Sequence, residues 1–108
     1  MNLTNFQYIQ NYIGGELVEP HSKCYIDNIN PATGEKFGQI PNSNSEDVEI
    51  AVKAAEKAFV TWSISSPEDR FKILNKIAKL IDIHLDELAL AETTDNGKPL
   101  WLSKQVDI

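Results

Sequence analysis

YIDNINPATGEKFGQIPNSNSEDVEIAVKAAEKAFVTW, residues 25–62, changes its apolar rhythm once, and that change decides how the chain folds. Its first part holds two short extended runs, residues 25–29 and 36–40, joined by Asn30-Pro31-Ala32-Thr33-Gly34-Glu35. Pro31 fixes φ early in the connection and Gly34 supplies a left-handed exit, so the two runs pair as a hairpin. From Ser45 the apolar period lengthens from two to 3.6. Val48, Ala51, Val52, Ala55, Ala58, Phe59 and Trp62 then fall at steps of three and four, on one face of a helix. Glu49, Lys53, Glu56 and Lys57 take the opposite face, with Glu49 four residues before Lys53, the favourable order for an ion pair.

Working outward, residues 11–13 and 16–18 flank Gly14-Gly15, two residues free to take the positive φ of a tight hairpin turn. Residues 1–10 carry no strand or helix pattern and are expected to be a flexible start. Beyond Trp62, Ser66-Pro67-Glu68-Asp69 is a helix start: a hydroxyl to cap free N–H groups, a proline where no N–H is needed, and two acids at the positive dipole end. That second helix runs through Leu74, Ile77, Ala78 and Ile81. A third begins between Asp82 and Leu85 and stops at Asn96-Gly97, with Pro99 preventing its continuation. Residues 100–108 begin a further helix without a stop signal, which points to a chain that continues. The expected division is therefore 1–10 flexible, 11–41 hairpins and 45–108 helices. Neither hairpin is long enough to persist uncovered.

With 108 residues the ceiling is one domain or part of one. Apolar residues make up 42% and charged residues 24%, the balance of a chain that packs against something. A formal net charge of −6 opposes a sequence-independent grip on nucleic-acid phosphates. No run approaches the roughly 18 apolar residues that span a bilayer, and the first ten residues lack a signal-peptide pattern. A lone cysteine, Cys24, rules out an internal disulfide and a Cys-rich metal site; the cytoplasm is the expected compartment.

In order and spacing, the Gly14-Gly15 hairpin, Asn30-Pro31-Ala32-Thr33-Gly34-Glu35, Val52-Lys53-Ala54-Ala55, Ala58-Phe59, Trp62, Arg70 and Asp95-Asn96-Gly97-Lys98-Pro99 resemble the N-terminal quarter of aldehyde dehydrogenases. The match runs from about Tyr12 to the end. Residues 40–43 and 62–70 are similar in wording to the branch acting on 2-aminomuconic and 2-hydroxymuconic semialdehydes. The resemblance implies an α/β fold, here two short hairpins followed by three helices that pack on a Rossmann-type NAD(P)-binding domain outside this sequence. It also implies a catalytic domain, an oligomerisation hairpin and assembly as homodimers or homotetramers. In the family a cysteine attacks the aldehyde to give a thiohemiacetal, hydride leaves to NAD or NADP, and a glutamate-activated water hydrolyses the thioester. Those groups, and the family's Gly-Ser-Thr-x-x-Gly turn for the dinucleotide, are absent from residues 1–108, so this chain by itself is expected to be inactive.

Candidate residues divide on the same basis. Cys24 lies in the hairpin region, and its expected role is a small, partly buried residue at a strand edge. His21 and His84 have no carboxylate or second histidine at ligand spacing and are expected to be ordinary surface or helix-end histidines. Phe59, Trp62 and Phe71 lie on apolar faces, where packing accounts for them. Lys98 follows a helix end, where a cation that folds back suits the dipole; a role on NAD phosphates has no support in the sequence. Asp95 sits in the last turn of the third helix, where the dipole disfavours a carboxylate by a few tenths to about 1 kcal/mol. Either it is solvated or bonded to the turn after Gly97, or it holds an ion. The resemblance implies the second: a structural sodium or potassium ion bound by Asp95 and by the carbonyls of Asn28 and Ile29, hard oxygen donors suited to such a cation.

Two functions follow. One is a part of an oxidoreductase whose remaining chain holds the chemistry. The other is a stand-alone helical interaction module without enzymatic activity. The coding sequence beyond Ile108 separates them.

Overall fold

The computed structural model describes residues 7–108 as a mixed α/β chain. Five short strands come first: β1 (Gln7–Tyr8), β2 (Asn11–Ile13), β3 (Glu16–Val18), β4 (Tyr25–Ile29) and β5 (Lys36–Pro41). Helices follow as α1 (Ser45–Trp62), α2 (Pro67–Ile83), α3 (Leu85–Asn96) and the short α4 (Leu100–Leu102), which runs into a π-helical turn, Ser103–Asp107. The hairpins form where the turn residues place them. Gly14 and Gly15 take φ of 63° and 91°, and β2 pairs antiparallel with β3 with Tyr12 opposite Leu17. Part of the expected flexible start is in fact strand: β1 pairs in parallel with β5, Tyr8 beside Gln39, giving a three-stranded sheet in the order β1-β5-β4. Two residues are too short a run for alternation to reveal, since only the neighbouring strand defines them. Residues 1–6 lie outside the described part.

Helix boundaries follow local chemistry. Ser66 caps α2 by accepting from the Asp69 backbone N–H at 3.1 Å, with Pro67 in the first turn. Asn44 caps α1: its Oδ1 accepts from the backbone N–H groups of Glu46 and Asp47, and Asp47 Oδ2 accepts from the Asn44 N–H at 2.9 Å, a reciprocal capping box. Only His84 separates α2 from α3, and its N–H still donates to Leu80 and Ile81. Past α4 the backbone opens into the π turn, so the expected fourth helix lasts three residues as α-helix.

The described residues divide into two compact units: 7–28 with 37–65, and 29–36 with 66–108. In the first, the β2–β3 hairpin lies on α1. A Cβ on Gly14 would stand 3.9 Å from Ala54 Cβ, ordinary contact. Pro20 and Gly38 are buried there. In the second, Ala89 of α3 and Ser103 of the π turn are fully buried, and the hydroxyls of Thr93 and Ser103 bond at 2.9 Å. Among the described residues of the second unit Ala89 is the fully buried apolar side chain, and the helical stripes stay largely exposed. Val48 is 59% exposed, Phe59 63%, Phe71 67% and Leu74 61%. Phe59, Trp62 and Phe71 therefore do not form a core within the described residues. Among them, no helix is long and apolar enough to cross a membrane.

Candidate metal centre

The β4–β5 connection is held by its first residue. Asn30 donates its backbone N–H to Glu35 O at 2.9 Å, its carbonyl accepts from Gly34 at 2.8 Å and Thr33 at 3.3 Å, and its side-chain oxygen accepts from Ala32 N–H at 2.9 Å. That last bond is the Asx turn that asparagine favours. The Asn30 carbonyl is thus committed twice within the turn. Ile29 shares a compact unit with the turn and with α3, while Asn28 belongs to the other.

The end of α3 meets that turn. Gly97 takes the left-handed conformation, φ 79°, and donates to Thr93 O at 2.9 Å, closing the helix. A Cβ built on Gly97 would stand 2.9 Å from Pro31 Cγ and 3.5 Å from Pro31 Cβ, so α3 ends with its glycine against the proline ring. Asp95, exposed, lies two residues before that contact, as Ile29 lies two before its other side. No basic residue occupies the last turn of α3. Among the described residues no three His, Cys, Asp or Glu side chains gather as a metal cluster. The missing Cβ at Gly97 is what lets the α3 end approach the Pro31 ring.

Lys98 folds back as its position implies, but onto side chains. Its Nζ donates to Glu92 Oε1 at 2.8 Å and Asp107 Oδ2 at 2.5 Å, tying α3 to the π turn. Asp107 and then Glu92 raise the lysine pKa above its ordinary value, against the pull of desolvation. Nothing in this arrangement leaves the ammonium facing a dinucleotide. Asn96 supports it from the helix end, with Oδ1 accepting from Lys98 N–H and Nδ2 donating to Glu92.

The remaining sequence candidates are structural. Cys24 is exposed, not partly buried as expected, and its thiol points to Ser22 O at 3.4 Å. It precedes the edge strand β4 instead of packing within it. Each histidine expected to stand apart from acids meets one: His21 Nδ1 lies 2.5 Å from Glu46 and His84 Nδ1 3.1 Å from Glu87. Glu46 is 25 positions from His21, beyond any local spacing rule, whereas Glu87 at i+3 from His84 was a readable signal. Asp47 went unnoticed in the sequence although Asn44-Ser45-Glu46-Asp47 has capping-box spacing. It is 5% exposed, and one oxygen accepts the His21 backbone N–H at 2.8 Å while the other serves Asn44. The Asn44 and His21 N–H groups hold its carboxyl below the usual carboxylate range, and the His21 ring adds to this when protonated; desolvation acts the other way.

Residues 17–108 match the model of the aldehyde dehydrogenase family. The chain is 48% identical to 2-aminomuconic semialdehyde dehydrogenase of Danio rerio over 93% of its own length and 20% of that protein's. It is 46% identical to a long-chain-aldehyde dehydrogenase of Acinetobacter over 92% of its length and 20% of that relative's. Among solved structures, a betaine aldehyde dehydrogenase variant from Staphylococcus aureus in complex with NAD+ superposes with a TM-score of 0.88 at 38% identity, covering 96% of this chain and 21% of that one. The chain thus spans about a fifth of the length of the relatives it matches. Sequence match and backbone path agree over the same residues, hairpins and helices together, and the chain belongs to the aldehyde dehydrogenase family.

Proposed function

We propose that these residues are the N-terminal portion of an enzyme that oxidises an aldehyde to a carboxylic acid with NAD+, and that they serve it as scaffold. The carrying observation is that nearly the whole chain follows the backbone of a fifth of an aldehyde dehydrogenase while its apolar helix faces stay open. In this reading the nucleophilic cysteine, the water-activating glutamate and the dinucleotide-binding turn belong to the other four-fifths. NAD is favoured over NADP by the dinucleotide of the S. aureus relative. A 2-aminomuconic type of semialdehyde is the substrate class suggested by the zebrafish relative. A homodimer or homotetramer in the cytoplasm is the assembly and place proposed, in keeping with the family resemblance and the lone free cysteine. A structural sodium or potassium ion held by Asp95 and the carbonyls of Ile29 and Asn28 completes the proposal, supported by the Gly97–Pro31 approach and the hard-oxygen donor set.

The test grafts this chain onto the zebrafish relative in place of its own matching fifth and follows NADH formation at 340 nm. Retained turnover in the graft, with none from the 108-residue chain alone, supports the reading. A folded graft without activity, or turnover by the short chain that disappears on Cys24→Ala, would sink it.

A further inference from the structure

We infer that α2 lays its apolar face on an anionic lipid surface, with the lysines of its other face held by the negative headgroups. The inference goes beyond the enzyme reading and concerns the face that this chain leaves open. Residues 70–81, Arg70-Phe71-Lys72-Ile73-Leu74-Asn75-Lys76-Ile77-Ala78-Lys79-Leu80-Ile81, carry four cations and no acid inside a chain whose formal net charge is −6. Steps of three and four place Lys72, Lys76 and Lys79 in one stripe, with Phe71, Ile73, Leu74, Ile77, Leu80 and Ile81 on the arc opposite. No residue of the helix is buried, and those six apolar residues are 37% to 67% exposed. Nor is the stripe neutralised. Lys72 reaches Asp69 at 3.5 Å, and among the described residues Lys76 and Lys79 make no ion pair. Glu68, Asp69 and Asp82 stand at the helix ends, outside the cationic run.

Both faces of the helix restrict what can cover it. A neighbour must accept an apolar arc about 18 Å long, at roughly 1.5 Å for each residue, and must also answer the positive charge. A second copy of this chain meets the first demand, but a two-fold contact of α2 on α2 sets cations near cations. Nucleic acid answers the charge and leaves the apolar arc in water. Anionic lipid supplies both, with hydrocarbon under the apolar arc and phosphates at the interface, where long lysine stems reach them. Among the described residues no helix is long and apolar enough to cross a bilayer, so α2 lies in the plane of the surface.

Flotation of the 108-residue chain with vesicles tests this, since self-associated protein stays at the bottom of the gradient. The wild type should rise with vesicles of equal parts phosphatidylcholine and phosphatidylglycerol, stay below with pure phosphatidylcholine, and lose most of its binding in high salt. Each basic residue near a charged bilayer strengthens binding roughly fivefold, so Lys72→Gln with Lys76→Gln and Lys79→Gln should weaken it by about tenfold or more. Leu74→Asp with Ile77→Asp should abolish it. Lys53→Gln with Lys57→Gln, which removes charge from α1 instead, should leave the partition unchanged. These side chains are exposed, and circular dichroism checks that helicity is kept; if the Asp pair loses it, the lysine variants decide alone. Absence of flotation with the anionic vesicles, equal flotation with pure phosphatidylcholine, a lysine triple that rises like the wild type, or an α1 pair that sinks as far as the triple would each overturn the inference.

Discussion

Asp47 shows how much one side chain can join. Its two oxygens close the α1 cap and anchor the loop that follows the first hairpin, through Asn44 and His21 N–H groups 3 and 26 residues back along the chain. Because its folded-state pKa is depressed, its contribution is present above the unfolded value near 3.8 and is lost as pH falls through the lower folded value. Asp47→Asn, which can satisfy only part of this bonding, should lower the thermal midpoint at pH 7 and flatten the loss of stability below about pH 4; parallel wild-type and variant curves from pH 7 to 2 would contradict this. Lys98 has the opposite sign. Its raised pKa means that its contribution is complete below the ordinary lysine value and disappears as pH rises through the folded one. Lys98→Met should speed amide hydrogen exchange in the π turn at neutral pH, since the bond from Nζ to Asp107 is lost. The difference in thermal midpoint between wild type and variant should close in strong alkali; a gap that persists unchanged well past the ordinary lysine range would argue against the ion pairs as its source.

Among the elements, the two long helices owe their starts to neutral side chains whose bonds are local. Asn44→Ala and Ser66→Ala each remove a cap acceptor and should cost about 1 kcal/mol in urea unfolding, with the α1 loss accompanied by release of Asp47 from its reciprocal bond. A change below 0.3 kcal/mol at both sites, judged against the typical cap value of about 1, would show that tertiary packing sets those boundaries. α3 differs: its apolar residues are spread around its circumference, and His84 gives it no side-chain cap. It is held instead by small residues packed between it and the π turn, Ala89 of α3 and Ser103 of the turn being fully buried. A helix so dependent on its neighbours should exchange its amides together with the π turn, as one cooperative unit.

For the molecule as a whole, the open faces of α1 and α2 set its behaviour in solution. Val48, Val52, Phe59, Phe71 and Leu74 are all exposed, and apolar patches of this kind drive association. The purified chain should elute as a concentration-dependent oligomer in size-exclusion chromatography with light scattering. Val52→Asp with Phe59→Asp should shift it toward monomer without loss of helicity, while a strictly monomeric wild type with a sharp thermal transition would favour the stand-alone interaction module. By itself the sequence determined what neighbouring residues decide. Gly14-Gly15 and Asn30 to Gly34 fix the hairpins, Ser66-Pro67 opens α2, and Gly97 closes α3, because turn dihedrals, caps and the 3.6 period act within a few positions. Tertiary structure alone decided the joins: β1 beside β5, His21 against Glu46 and Asp47, Thr93 against Ser103, Lys98 against Asp107, and Gly97 against Pro31. Most of these partners are too far apart along the chain for spacing to pair them, and the rest depend on a π turn that no periodicity announces, so their contacts follow from how whole segments come to rest on one another.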